Sequence, residues 1–157
     1  MICRGVNFCA NMILYTIGSS KKSAEQFFEC LKYHMVKLLV DVRLKNDSQL
    51  LGFARKRDLP YFLGGIQCEY EHCPKYAPSG EILTGWRKKL ITWDEYERRY
   101  TALMNERGAV EDFILCFEGL YDPVCLLCSE ATPKRCHRRL FAEMVHERRN
   151  DVEVVHL

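Results

Sequence analysis

Residues 124–145, VCLLCSEATPKRCHRRLFAEMV, limit what this chain can fold into more than any other stretch. The first five form an unbroken apolar run, too short for a helix and bounded by polar residues, which predicts a strand buried on both faces. A helix is expected almost at once. Thr132 suits its N-cap and Pro133 its first position, where the missing N–H would have had no partner and φ is already helical. The turn between strand and helix holds Cys128, Ser129 and Glu130, where unpaired helix N–H groups and the positive end of the dipole converge.

At about 100° per residue, Cys136, Leu140, Phe141, Met144 and Val145 form one broad apolar face with His137 near its centre, while Arg135 and Arg139 fall on the far side. The first helical turn is therefore expected to aim His137, and less squarely Cys136, at the strand end carrying Cys128 and Glu130. In open α/β sheets the crevice outside the carboxyl ends of the strands is the usual ligand site. This turn is the first candidate for chemistry.

Residues 12–17, MILYTI, read as another buried strand, broken by Gly18. SAEQ, from Ser23, is a capping-box pattern opening a helix with Phe27, Phe28 and Leu31 on its apolar face. Residues 36–42 read as a second strand. A strand, helix and strand of this length predict a right-handed βαβ unit with both strand ends on one edge, gathering Ser19, Ser20, Asp41, Arg43 and Cys128 there. Serines before a helix can offer N–H groups to an anion, and Asp41 and Arg43 are equally placed for a local ion pair.

Residues 44–90 are the least regular. Ser48 is the expected cap of a short helix facing Leu50, Leu51 and Phe53 inward; prolines and glycines then punctuate Tyr61, Phe62, Tyr70, Tyr76 and Trp86. An insertion of this length is expected to form a lid or binding loop, its aromatics either stacking on bases or building a second small core. Within it, CEYEHC offers Cys68, His72 and Cys73. A closed zinc site needs a fourth ligand and no second knuckle is evident, so scattered thiols are the simpler reading. Trp93, Tyr96, Tyr100, Leu103 and Met104 recur at helical spacing up to Gly108, residues 110–120 repeat the helical period, and residues 152–156 read as a last strand.

LLCSEATPKRCHR, together with YTIG at 15–18, LVDVR at 39–43 and VEVVHL at 152–157, closely resembles the DUF488 family, a domain of unknown function. The likeness runs from about residue 12 to residue 157 and leaves residues 1–11 as an N-terminal extension. It implies one compact cytoplasmic α/β domain with the matched polar residues gathered in one site, and it brings no reaction with it. Many members carry a histidine after the glycine of YTIG. Here Ser19 and Ser20 follow, so a role resting on that histidine does not transfer.

A chain of 157 residues is a single domain by length. With 48% hydrophobic and 28% charged residues, it is ordinary globular material and not a disordered tract. A net charge of +2 falls short of a dedicated nucleic-acid binder. Nine cysteines form an odd set, without a signal peptide or a run of membrane-spanning length, which points to a reducing cytoplasm and mostly buried free thiols.

These residues predict a three-layer α/β domain, a mainly parallel sheet flanked by helices with an irregular insertion after the second strand. Cys128 is the expected nucleophile, since a strand end beside a helix N-terminus, with His137 close, favours the thiolate. Glu130 is the expected general acid or base, or the group that orients His137, and Asp41 joins them. Arg43 and Arg138, with Ser19 and Ser20, are the expected anion holders. That set fits an enzyme acting on a nucleotide, nucleic acid or other phosphorylated substrate. The alternatives are a non-catalytic nucleic-acid-binding module using the same arginines and aromatics, a metal-dependent activity at Cys128, Cys136 and His137, and a purely structural turn in which Glu130 pairs with Arg138 and Cys136 packs inside. No dinucleotide fingerprint or phosphate-loop lysine is present, and no cofactor or metal is assigned.

Overall fold

Five short segments pair side by side into one all-parallel sheet. They are β1 (Met12–Gly18), β2 (Leu38–Asp41), β3 (Glu69–His72), β4 (Val124–Cys128) and β5 (Val152–His156), in the order β3-β2-β4-β1-β5. The computed structural model describes residues 12–47, 52–117 and 119–157. VCLLC is the central strand and is buried along its whole length, as a parallel strand covered on both faces must be.

Alternation along the strands feeds two cores. Leu14, Val40, Val124 and Leu126 point to one face; Ile17, Leu39, Cys125 and Leu127 point to the other. The second face is covered by α1 (Ala24–Tyr33) and α2 (Leu59–Gly64), through Phe27, Leu31, Leu59 and Leu63. The first is covered by α3 (Gly80–Arg87), α4 (Trp93–Glu106), α5 (Ala109–Phe117) and α6 (His137–Arg148), through Ile82, Tyr100, Phe113 and Phe141. The result is three layers. Each large apolar side chain withdrawn from water contributes about 1.5–3 kcal/mol, and these buried ones hold the three layers together. The capping box at Ser23 is present: its Oγ accepts from Gln26 N at 3.1 Å while Gln26 Oε1 accepts from Ser23 N at 2.9 Å.

The helix after β4 departs from expectation. It begins at His137 with Cys136 at the N-cap, and no side chain caps it. Residues 129–135 form an irregular loop instead, and the reason is long-range. Ser19 N donates to Cys128 O at 3.0 Å, Ser20 N to Ser129 O at 3.0 Å, and Arg138 Nη1 to Glu130 O at 2.8 Å. These bonds draw the backbone across the end of β1, and tertiary context outweighs the local capping signal of Thr132 and Pro133.

After β2 the chain alternates short elements with irregular backbone. It includes an edge strand, β3, whose EYEH sequence alternates exposed and half-buried residues and therefore carries no apolar period. That strand puts Cys68 into one core and Cys73 into the other, so with His72 they do not form a shared ligand set. The aromatics here divide: Tyr61 and Phe62 are exposed, Tyr70 is half-buried, and two serve the core. Tyr76 is fully buried and Trp86 packs against the cluster around Tyr96. Ser48, Leu50, Leu51 and residues 1–11 lie outside the described residues. No helix among the described residues is long and apolar enough to cross a membrane.

Candidate active site at the carboxyl end of the central strand

The chain leaves β1 and β2 toward helices on one face and leaves β4 toward α6 on the other. A sheet opens a crevice where adjacent strands send their connections to opposite faces. β4 has such a neighbour on each side, and the two sides differ. Beside β1, Gly18 lies in register with Cys128, and a Cβ there would come within 1.8 Å of Glu130 O. The loop backbone rests on the glycine, and that crevice is closed. Beside β2 it stays open as a cavity of 210 Å³, reached by Arg43, Glu130, Cys128, Cys136 and His137.

At its floor Cys128 Sγ lies 3.7 Å from His137 Nδ1, and His137 Nε2 lies 2.9 Å from the carbonyl of Val42. A carbonyl only accepts, so Nε2 carries a proton and Nδ1 is left to face the sulfur. The ring thus bridges the ends of β2 and β4. It owes this placement to α6 beginning at His137, and Tyr100 packs against it with ring centroids 5.8 Å apart. The Cys136 thiol, as donor, does most to lower Cys128 below the ordinary thiol range; it outweighs burial, and His137 and the Glu130 N–H add to it. Burial works against the imidazolium, but the Cys128 sulfur and the Val42 carbonyl outweigh it, and His137 is raised. Cys136 is pushed up, first by the hydrogen bond its thiol donates to the Cys128 sulfur and then by burial. All three directions favour the thiolate at Cys128, with the Cys136 thiol donating to it and His137 more readily protonated beside it.

Asp41 is wholly buried. Its carboxylate accepts from Arg43 Nε at 2.8 Å, Arg43 Nη2 at 2.7 Å, Asn46 Nδ2 at 3.1 Å and Tyr70 Oη at 2.8 Å. With its lone pairs so engaged, it holds Arg43 in place and does not line the cavity. Arg43 does line it, and its Nη1 has no protein partner among the described residues.

Arg138 is fully buried under the loop. Nη1 also reaches Cys136 Sγ at 3.2 Å, Nε lies 3.4 Å from Thr16 Oγ1, and Nη2 has no partner among the described residues. It shapes the loop from beneath and is absent from the cavity lining. The Glu130 side chain is exposed and lines the cavity, while its carbonyl, not its carboxylate, meets Arg138. Ser19 and Ser20 approach the same loop, but both N–H groups are bonded to its carbonyls and neither residue lines the cavity.

The cavity wall adds residues that periodicity did not single out. Arg87 and Lys45 line it, and so does Arg135, whose guanidinium lies 5.9 Å from the Trp86 ring centroid. Arg135 was expected on the far side of a helix. It precedes the helix, so helical phase does not govern it. Four cations, Arg43, Lys45, Arg87 and Arg135, thus face one carboxylate, Glu130. Tyr96 also lines the cavity, and burial, followed by the neighbouring sulfurs, holds its phenol protonated. The only advance signal for the arginines was their clustering with lysine at 87–89 and 134–139.

Residues 23–145, most of the chain, match the family model described as Domain of unknown function DUF488. The chain belongs to the DUF488 family. The match starts after YTIG and stops before VEVVHL, a narrower span than the resemblance in the sequence. No curated protein and no solved structure matches the chain. Within this DUF488 domain, Cys128, Cys136 and His137 place their donor atoms within 4.8 Å of one another, the only such buried set among the described residues. Such a set can serve a soft metal ion. Arg138 Nη1, 3.2 Å from Cys136 Sγ, puts a positive charge beside that set.

Proposed function

We propose that this DUF488 chain is a thiol-dependent enzyme acting on a small phosphorylated substrate, such as a nucleotide or the end of a nucleic acid. The carrying observation is the juxtaposition of a Cys128–His137 pair, 3.7 Å apart, with a cavity whose charged lining is mainly cationic. Arg87 and Arg135 hold the phosphate with planar forks suited to two hydrogen bonds each, and Arg43 adds its Nη1, the nitrogen that Asp41 and Ala54 leave open. Cys128 sulfur bonds to phosphorus, the ester oxygen leaves, and the proton on His137 Nδ1 goes to that oxygen. Glu130 then takes a proton from the water that releases phosphate from the sulfur. A volume of 210 Å³ holds roughly seven waters' worth of liquid, which accommodates the phosphoryl end of a substrate better than an entire nucleotide.

The test is the alkylation rate of each thiol against pH in the native chain, read by mass spectrometry, with and without inorganic phosphate. Cys128 is expected to react fastest, to stay reactive well below the free-thiol pKa of about 8.5, and to be protected by phosphate. A Cys128 that is inert at all pH values, or reactive but indifferent to phosphate, would overturn this reading. Salt-sensitive oligonucleotide binding without thiol reactivity would mark a binding module instead.

A further inference from the structure

Cys136 makes and breaks no covalent bond in the proposed mechanism, yet it lines the same cavity as Cys128, with the two sulfurs within 4.8 Å of each other. We propose that Cys136 is a resolving thiol, so that hydroperoxide converts the Cys128–Cys136 pair into a disulfide that a small dithiol reduces, switching the site off and on. The inference rests on the reading above only in taking Cys128 as the thiolate.

Geometry carries it. A disulfide needs sulfurs about 2.05 Å apart, so the pair has less than 3 Å to close. The connection that must give is the irregular loop at residues 129–135, not a strand or a helix. Cys136 is the N-cap of α6, in extended backbone with φ −142° and ψ 136°; its carbonyl accepts from Arg139 N at 3.2 Å and Leu140 N at 3.5 Å, so a shift toward Cys128 disturbs no more of the helix than those first-turn bonds. Peroxide reaches both sulfurs through one cavity.

The chemistry balances. The Cys128 thiolate attacks the peroxide, the O–O bond breaks, Cys128 becomes a sulfenic acid and hydroxide leaves, taking up a proton to give water. The Cys136 sulfur then attacks Cys128 sulfur, and water leaves as the S–S bond forms. The dithiol returns two electrons and two protons and is itself oxidised to a disulfide. Charge orders these steps. While Cys128 is a thiolate it is the chief influence keeping Cys136 protonated; once Cys128 is an uncharged sulfenic acid, Arg138, whose Nη1 lies 3.2 Å from Cys136 Sγ, favours the Cys136 thiolate.

The full chain is treated with hydrogen peroxide, digested without reduction and analysed by mass spectrometry. A peptide pair joined through Cys128 and Cys136 is expected, with Cys128 alkylation falling by about tenfold or more and returning after dithiothreitol. In Cys136→Ser, Cys128 is expected to accumulate as sulfenic acid trapped by dimedone. If Cys128 alkylates rapidly and phosphate protects it, but peroxide yields only sulfinic acid or pairs with other cysteines, the switch is wrong and the function stands. If the disulfide forms while phosphate gives no protection, the phosphorylated-substrate reading falls and the switch stands. Stoichiometric zinc that blocks alkylation of both thiols would overturn the switch.

Discussion

Gly18→Ala tests the closure of the β1 side of the site. Its Cβ would meet Glu130 O at 1.8 Å, Glu130 C at 2.9 Å and Ala131 Cα at 3.3 Å. All are backbone atoms, so no side chain can turn away, and the loop must rise until the oxygen sits at ordinary contact distance. That displacement pulls Glu130 O from Arg138 Nη1, now 2.8 Å away, and leaves a buried guanidinium with fewer partners. Overpacking costs about 1–3 kcal/mol, and a hydrogen bond to a charged group about 1.5–3 kcal/mol. The variant is expected to lose about 3–5 kcal/mol in urea denaturation, a fall of about 10 °C in Tm for a domain of this size. Because the same loop carries the Glu130 N–H to the Cys128 sulfur, Cys128 alkylation near neutral pH is expected to slow as well. Stability within about 1 kcal/mol of the parent and an unchanged alkylation rate would refute the close approach of loop and strand.

Asp41→Asn leaves the buried Arg43 guanidinium without its counter-charge and is expected to cost about 3–5 kcal/mol, measured by urea denaturation. Burial pushes Asp41 up, but Arg43, Asn46 and Tyr70 outweigh it and hold the carboxyl below its ordinary value. Its contribution is therefore complete above the unfolded pKa of about 3.9 and lost as pH falls through the lower folded value. The parent should weaken below about pH 4 and the variant should lack that component. His137→Gln removes the imidazolium, so the pH midpoint of Cys128 alkylation should rise toward about 8.5 and the rate at mildly acidic pH should drop by about tenfold or more. A midpoint unmoved in that variant would rule His137 out as a contributor and leave the Cys136 thiol as the group that lowers Cys128. Arg87→Ala and Arg135→Ala remove exposed cavity cations; each should leave stability within about 0.5 kcal/mol and weaken phosphate protection of Cys128 by about tenfold. Equal protection in both variants would take them out of the anion site.

Much of the site could be read along the chain because local pattern and topology agree there. VCLLC reads as a central strand, SAEQ as a capping box, and three parallel strands put the ends carrying Gly18, Asp41 and Cys128 on one edge. His137 was placed correctly against Cys128 even with the helix start misjudged, since it falls on the inward side in either phase. Arg135 was not, because phase is meaningless for a residue outside the helix. Arg138 carries the same sequence signal as a ligand-holding arginine, yet it lies buried beneath the loop. Only its absence from the cavity lining and its bond to Glu130 O tell the two apart.

Apolar runs and a capping box act within a few residues, so strand positions, helix faces and the edge where polar residues collect were already present in the linear chain. Which crevice stays open was not. It depends on Ser19 N–H meeting Cys128 O across 109 residues, on Glu130 backbone pressing against Gly18, and on α3 bringing Arg87 beside Arg135. Contacts between such distant residues leave no periodic trace, and only the packed chain selects among them.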